Sequence, residues 1–279
     1  MPKLSDISIP MFCHPMSATD FFSVFVEAEP ISGSKLQVVK PGIHPFVVLI
    51  AKKKIDNDAE KHVCTGTLIS RDYVLTAASC FKDESLDNLE AIFGSTQPQD
   101  PTHKKYTFSS KISYQEWSKA HPLSVFQSVD DIGLMKLSAS NEDDYAGPLT
   151  FEINSKIDSS KVRMIGWGHL HDHLLPKIPR VVTLQKLSNA DCDKKLSAYA
   201  PLYAQFVLTN KLFCAATNPA AVGVTGDFGG PVLDRMDNII GILISVCSSP
   251  EPCDIFSQQP NMVLRLASFA DFITDVVFK

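Results

Sequence analysis

Residues 239–246 read Ile-Ile-Gly-Ile-Leu-Ile-Ser-Val, an apolar run whose β-branched content marks a buried strand. Shorter runs of the same kind stand at 46–50 (Phe-Val-Val-Leu-Ile) and 73–76 (Tyr-Val-Leu-Thr). Residues 162–168 alternate polar and apolar before a Gly-Trp-Gly turn. Eighteen prolines and thirteen glycines suit a turn-rich β protein. Helical spacing stands at the end, where Phe269, Phe272, Ile273, Val276 and Val277 recur between Phe269 and Phe278. The expectation is an all-β chain closed by a C-terminal helix, with no internal sequence repeat.

The chain has 279 residues, 44% hydrophobic and 20% charged, long enough for two modest cores. A net charge of −5 points neither to nucleic acid nor to an anionic membrane. No segment approaches the length of a membrane span.

Three short motifs carry the chemistry. Gly226-Asp227-Phe228-Gly229-Gly230-Pro231 resembles the nucleophile loop of the trypsin-like serine proteases, with phenylalanine in place of serine. Thr76-Ala77-Ala78-Ser79-Cys80 resembles that family's histidine segment, with Ser79 in place of histidine. Asp131-Ile132-Gly133-Leu134-Met135-Lys136-Leu137 resembles the aspartate segment and keeps Asp131. The motifs stand in the family's chain order, and the resemblance covers roughly residues 31–279. It implies two packed six-stranded antiparallel β-barrels, at about 36–150 and 160–265, followed by a C-terminal helix. Residues 1–30 are then an N-terminal extension, without the disulfide-rich clip module of many arthropod relatives.

The same resemblance implies a degenerate triad. A benzyl group has no lone pair for attack on a carbonyl, so Phe228 cannot act as nucleophile. A general base needs a pKa near the working pH, which a Ser79 hydroxyl lacks. Asp131 is left without an imidazole to orient, and is expected to bond backbone amides or Ser79. Gly226 keeps an oxyanion-hole position. Val222 stands at the floor of the primary specificity pocket, where no carboxylate awaits a substrate cation. Ser245 and Val246 border that pocket. Cys247 and Asn261 replace glycines that usually line it, and their side chains should narrow it.

In active relatives a freed amino terminus pairs with the aspartate matching Asp227. The best match for that terminus, Ile31-Ser32-Gly33-Ser34, follows Glu29-Pro30, a poor trypsin-like cleavage site. Asp227 then needs another partner, and the resemblance points to a zymogen-like pair with His62.

The resemblance also implies the cysteine pairing. Cys64 with Cys80 and Cys192 with Cys214 match two family disulfides, the first stabilising by about 3 kcal/mol in the chain-entropy model. Cys253 lacks its usual partner, because Val224 stands there, and Cys247 is the replacement. Cys13 is left over, either free or joined to another chain or a removed propeptide. This framework implies an oxidising, extracellular compartment. Met1–Asp6 carries no apolar signal run, and residues 21–26 (Phe-Phe-Ser-Val-Phe-Val) stand too late and run too short for one. A leader absent from this sequence is the expected explanation.

His169, His171 and His173 alternate, and on an extended strand their imidazoles would share one side, as zinc requires. Their place after Trp167 argues instead for a polar surface loop, and neither metal nor cofactor is assigned. The resulting expectation is a secreted serine protease homologue that does not cut. It would act by binding extracellular proteases or their substrates, as cofactor, decoy or inhibitor in a proteolytic or immune cascade. Two alternatives are a residual serine endopeptidase with a non-standard site, and an apolar-ligand or surface-binding module on the same fold.

Overall fold

The structure is a computed structural model that describes residues 37–38, 43–53, 61–97, 99–121, 124, 127, 129–142, 147, 149, 160–168, 176–199, 211–216, 226–244 and 260–278. Two closed antiparallel barrels account for nearly all of it. The first is built from β2 (Val47–Lys52), β3 (Lys61–Leu68), β4 (Tyr73–Thr76), β5 (Leu89–Phe93), β6 (Lys104–Ser113) and β7 (Gly133–Leu137). Their spatial order is β2-β3-β4-β7-β6-β5, and β5 pairs back onto β2 with Leu49 opposite Ile92. The second contains β8 (Lys161–Gly166), β9 (Arg180–Lys186), β10 (Leu212–Ala216), β11 (Pro231–Leu233), β12 (Ile239–Ile244) and β13 (Asn261–Arg265). Its order is β8-β9-β10-β13-β12-β11, closed where Val232 pairs Met164. The short β1 (Gln37–Val38) precedes the first barrel in the chain, yet adds to the second, on β9.

The apolar run that opened the sequence reading is explained by where β12 lies. Successive side chains on a strand point to opposite faces. Leu243 enters the interior of the second barrel with Val162, Met164, Val182, Leu184, Phe213 and Val263. Its neighbours Ile242 and Ile244 join a larger core that runs through the first barrel and the contact between the two. A strand buried on both faces has no room for polar alternation. β8 behaves alike, with Met164 inward and Ile165 toward the shared core. β9 has one solvated face and keeps its alternation: Val182 and Leu184 are buried, Thr183 and Gln185 exposed.

Among the described residues the fold also has three helices: α1 (Tyr114–Ser118), α2 (Asn189–Tyr199) and α3 (Ala270–Val277). α1 is a single turn held by a capping box, in which the Glu116 amide donates to Ser113 Oγ and the Ser113 amide to Glu116 Oε2. α3 follows the last strand of the second barrel but docks on α1 of the first. Tyr114 meets Phe269 and Phe272 edge-on, at 5.0 and 5.6 Å between centroids. Trp117 Nε1 donates to Asp275 Oδ2 at 2.8 Å. Among the described residues two disulfides, Cys64–Cys80 and Cys192–Cys214, close loops of 16 and 22 residues.

Trp117→Phe removes the donor to Asp275 and leaves a smaller ring among Tyr114, His121 and Phe272. A hydrogen bond to a charged acceptor stabilises by about 2 kcal/mol. The urea midpoint should fall by at least that equivalent, at unchanged m-value.

Candidate functional site

Ser79 is set in place from three sides. β4 ends at Thr76, and one 3-10 turn (Ala78–Cys80) carries Ser79 to the surface. Cys80 ties that turn to β3 through its disulfide. Phe81 is buried behind it against Gly133, where an added Cβ would lie 2.3 Å from the Phe81 ring. Lys111 Nζ donates to the Phe81 and Glu84 carbonyls, both at 2.6 Å. Asp131, two residues before β7, reaches Ser79 with both oxygens. Oδ1 accepts from the Ser79 amide at 2.7 Å and Oδ2 from the Ser79 hydroxyl at 2.7 Å. The hydroxyl proton therefore faces a carboxylate, a far weaker base than imidazole.

The turn 226–230 comes from the second barrel and is fastened to the first. Gly226 and Gly229 have φ of 95° and 80°, in the left-handed region that favours glycine. A Cβ on Gly229 would also lie 2.1 Å from Thr76 Oγ1 and 2.5 Å from the Thr65 carbonyl. Thr65, fully buried in β3, is the hub. Its hydroxyl donates to the Gly226 carbonyl at 2.6 Å and accepts from the Trp167 amide at 3.0 Å. Its amide donates to the Phe228 carbonyl at 2.9 Å, and its carbonyl accepts from Thr76 Oγ1 at 2.9 Å. The Phe228 side chain is half-buried and packs against both cores.

Asp227 has no exposed surface, and its Oδ1 accepts from the Gly168 amide at 2.7 Å. Its expected partner His62 has a backbone that pairs with Ala51; the His62 side chain lies outside the described residues. The pocket positions Val222, Ser245, Val246 and Cys247 lie outside them too, as do Cys13, Cys253, residues 31–34 and the His169, His171, His173 group. Asn261 is described: it is buried in β13 and donates from Nδ2 to the Ala215 carbonyl at 3.2 Å.

One charged pair had no signal in the sequence beyond the Asp130-Asp131 doublet. Asp130 is buried, and Lys211 Nζ donates to its two oxygens at 3.0 and 2.8 Å across the barrel boundary. Burial pushes the Asp130 carboxyl above its ordinary range, and Lys211 pulls it partly back. A cavity of about 390 Å3 opens beside Ser79 and Asp131, walled by Phe81, Lys111 and Val129 of the first barrel and Ile244 of the second.

Between the ordinary aspartate pKa and its raised folded value, the folded chain holds more protons at Asp130 than the unfolded chain does. This group's contribution to stability therefore falls as pH rises through that window. Lys211→Met strands the buried carboxylate, at a cost of about 3 kcal/mol near neutral pH. The loss should shrink on acidification as Asp130 protonates, a trend that urea midpoints measured across pH would follow. Thr65→Val preserves shape but orphans the Gly226 carbonyl and the Trp167 amide. At about 1–3 kcal/mol for each stranded group, its midpoint should fall further than that of Trp167-distant polar substitutions such as Thr107→Val, whose hydroxyl is solvent-exposed.

The Trypsin family model matches residues 36–273. Among curated proteins, the chain is 26% identical over 257 residues to granzyme M of Rattus norvegicus, covering 90% of each chain. It is 26% identical over 218 residues to chymotrypsin-2 of Vespa crabro, covering 77% of this chain and 89% of that protein. Snake venom serine protease 3 of Craspedocephalus gramineus is 24% identical over 230 residues, covering 77% and 78%.

Proposed function

This chain belongs to the trypsin family of serine proteases, and we propose that within it the protein binds other proteins instead of cutting them. The carrying observation is the pairing of Ser79 with Asp131 opposite a turn that presents Phe228. The carboxylate that would orient an imidazole is bonded by a serine through both oxygens, and the position that would hold the attacking oxygen holds a benzyl group. Losing the nucleophile or the base of such a triad costs several orders of magnitude in rate, and both are replaced here.

The packing of Phe228 supports a plugged site over an apolar ligand pocket, since its ring is partly covered by both cores. The two disulfides support an oxidising compartment. Among the described residues, no helix is long and apolar enough to cross a membrane. The reading is therefore a secreted protease homologue whose partners are extracellular proteases or their substrates. In a proteolytic or immune cascade it would serve as cofactor, decoy or inhibitor.

The test compares the native protein with a double revertant, Ser79→His with Phe228→Ser, using a fluorophosphonate probe and chromogenic peptides. The native protein should neither label nor turn over substrate. Labelling of native protein that persists after contaminating proteases are removed would sink the reading. Activity in the revertant alone would trace the loss to these two positions; a silent revertant would add the pocket positions Val222, Cys247 and Asn261 and the uncleaved segment before Ile31.

A further inference from the structure

A carboxylate with no exposed surface needs hydrogen bonds and an opposite charge, because desolvation otherwise exceeds what the fold can supply. Asp227 is such a group. Gly168 provides one hydrogen bond through its amide, at 2.7 Å from Oδ1. The carbonyl of that same residue is bonded by an Arg180 guanidinium nitrogen, also at 2.7 Å. Arg180 is itself buried, at 5% exposure. Its backbone is pinned at the head of β9 between Gly166 of β8 and Val38 of β1. Side-chain-free positions make the approach possible. A Cβ on Gly166 would lie 2.1 Å from Asp227 Oδ1, and one on Gly168 2.3 Å from Oδ2. The charges feel each other: burial lowers the Arg180 pKa, and the negative charge of Asp227 raises it.

We propose that Arg180 is an internal counter-charge for Asp227, acting through Gly168, and that it holds the 226–230 turn in shape in the uncut chain. The buried carboxylate is then neutralised from within the fold, with no new amino terminus required from cleavage before Ile31. Arg180 is a positioning residue, and the proposal is independent of whether Ser79 and Phe228 support catalysis.

The experiment uses the full chain, shown by mass to be uncut, as Arg180→Met, Arg180→Lys, Asp227→Asn and the double variant Arg180→Met with Asp227→Asn. The readout is native-state amide exchange at Gly229 and Leu243, which bond across the turn to the Leu243 and Gly230 carbonyls, with Ile92 in the first barrel as reference. Arg180→Met should speed exchange at the turn on the order of a hundredfold relative to Ile92, and Arg180→Lys should restore much of the protection. Adding Asp227→Asn to Arg180→Met should also recover protection, since no buried charge is then stranded. Unchanged exchange in Arg180→Met would overturn the proposal, and so would effects of the two substitutions that simply add. Should Arg180→Met fail to fold, the double variant must fold; a double variant that also fails overturns it.

Discussion

Thr65 stands in the first barrel and bonds three backbone groups of the second, those of Gly226, Phe228 and Trp167. All of this takes place out of contact with water, where an unmade hydrogen bond is expensive and a made one is strengthened by the low dielectric. The turn 226–230 cannot drift from β3 without stranding several of these groups together. Asp227, folded beneath it onto Gly168, pins the turn from the other side. Its shape thus rests on a threonine, a buried aspartate and glycines at positive φ, all of them independent of the side chain at 228.

That independence explains how the fold accommodates a phenylalanine at the tip. The backbone course is imposed by neighbours, and the benzyl group finds apolar surface in the seam between the cores. The same logic holds at Ser79. Asp131 needs donors, and the amide and hydroxyl of one serine supply two. Asp131 is bonded by Ser79 and the Phe228 ring packs on both cores, so the backbone of the site keeps its shape with these side chains in place.

The strands at 73–76 and 239–244, the helix near 270–277 and the two disulfides were readable because each depends on local pattern or on segments that motif resemblance aligns. The bonds from Ser79 to Asp131 agree with the expectation that this carboxylate takes backbone amides or Ser79 as donors. β1 joining the second barrel was not readable, since two residues carry no period and their register is chosen by the edge that β9 offers. Lys211 with Asp130 joins residues 81 positions apart, and Gly168 lies between the Arg180 guanidinium and the Asp227 carboxylate; neither arrangement leaves a mark in a single sequence.

By itself the sequence determined the fold class and which side chains stand at 79, 131 and 228. Strand periodicity and turn residues point to an all-β chain, the resemblance carried by three ordered motifs implies the barrels, and the side chains at 79 and 228 are what they are in any conformation. Tertiary structure alone decided how the buried charges are satisfied and what covers Phe228. Those outcomes depend on which groups meet once the two barrels close against each other and water is expelled from between them. Desolvation makes each unpaired partner costly only after that closure, so the pairing belongs to the assembled fold and not to any segment of it.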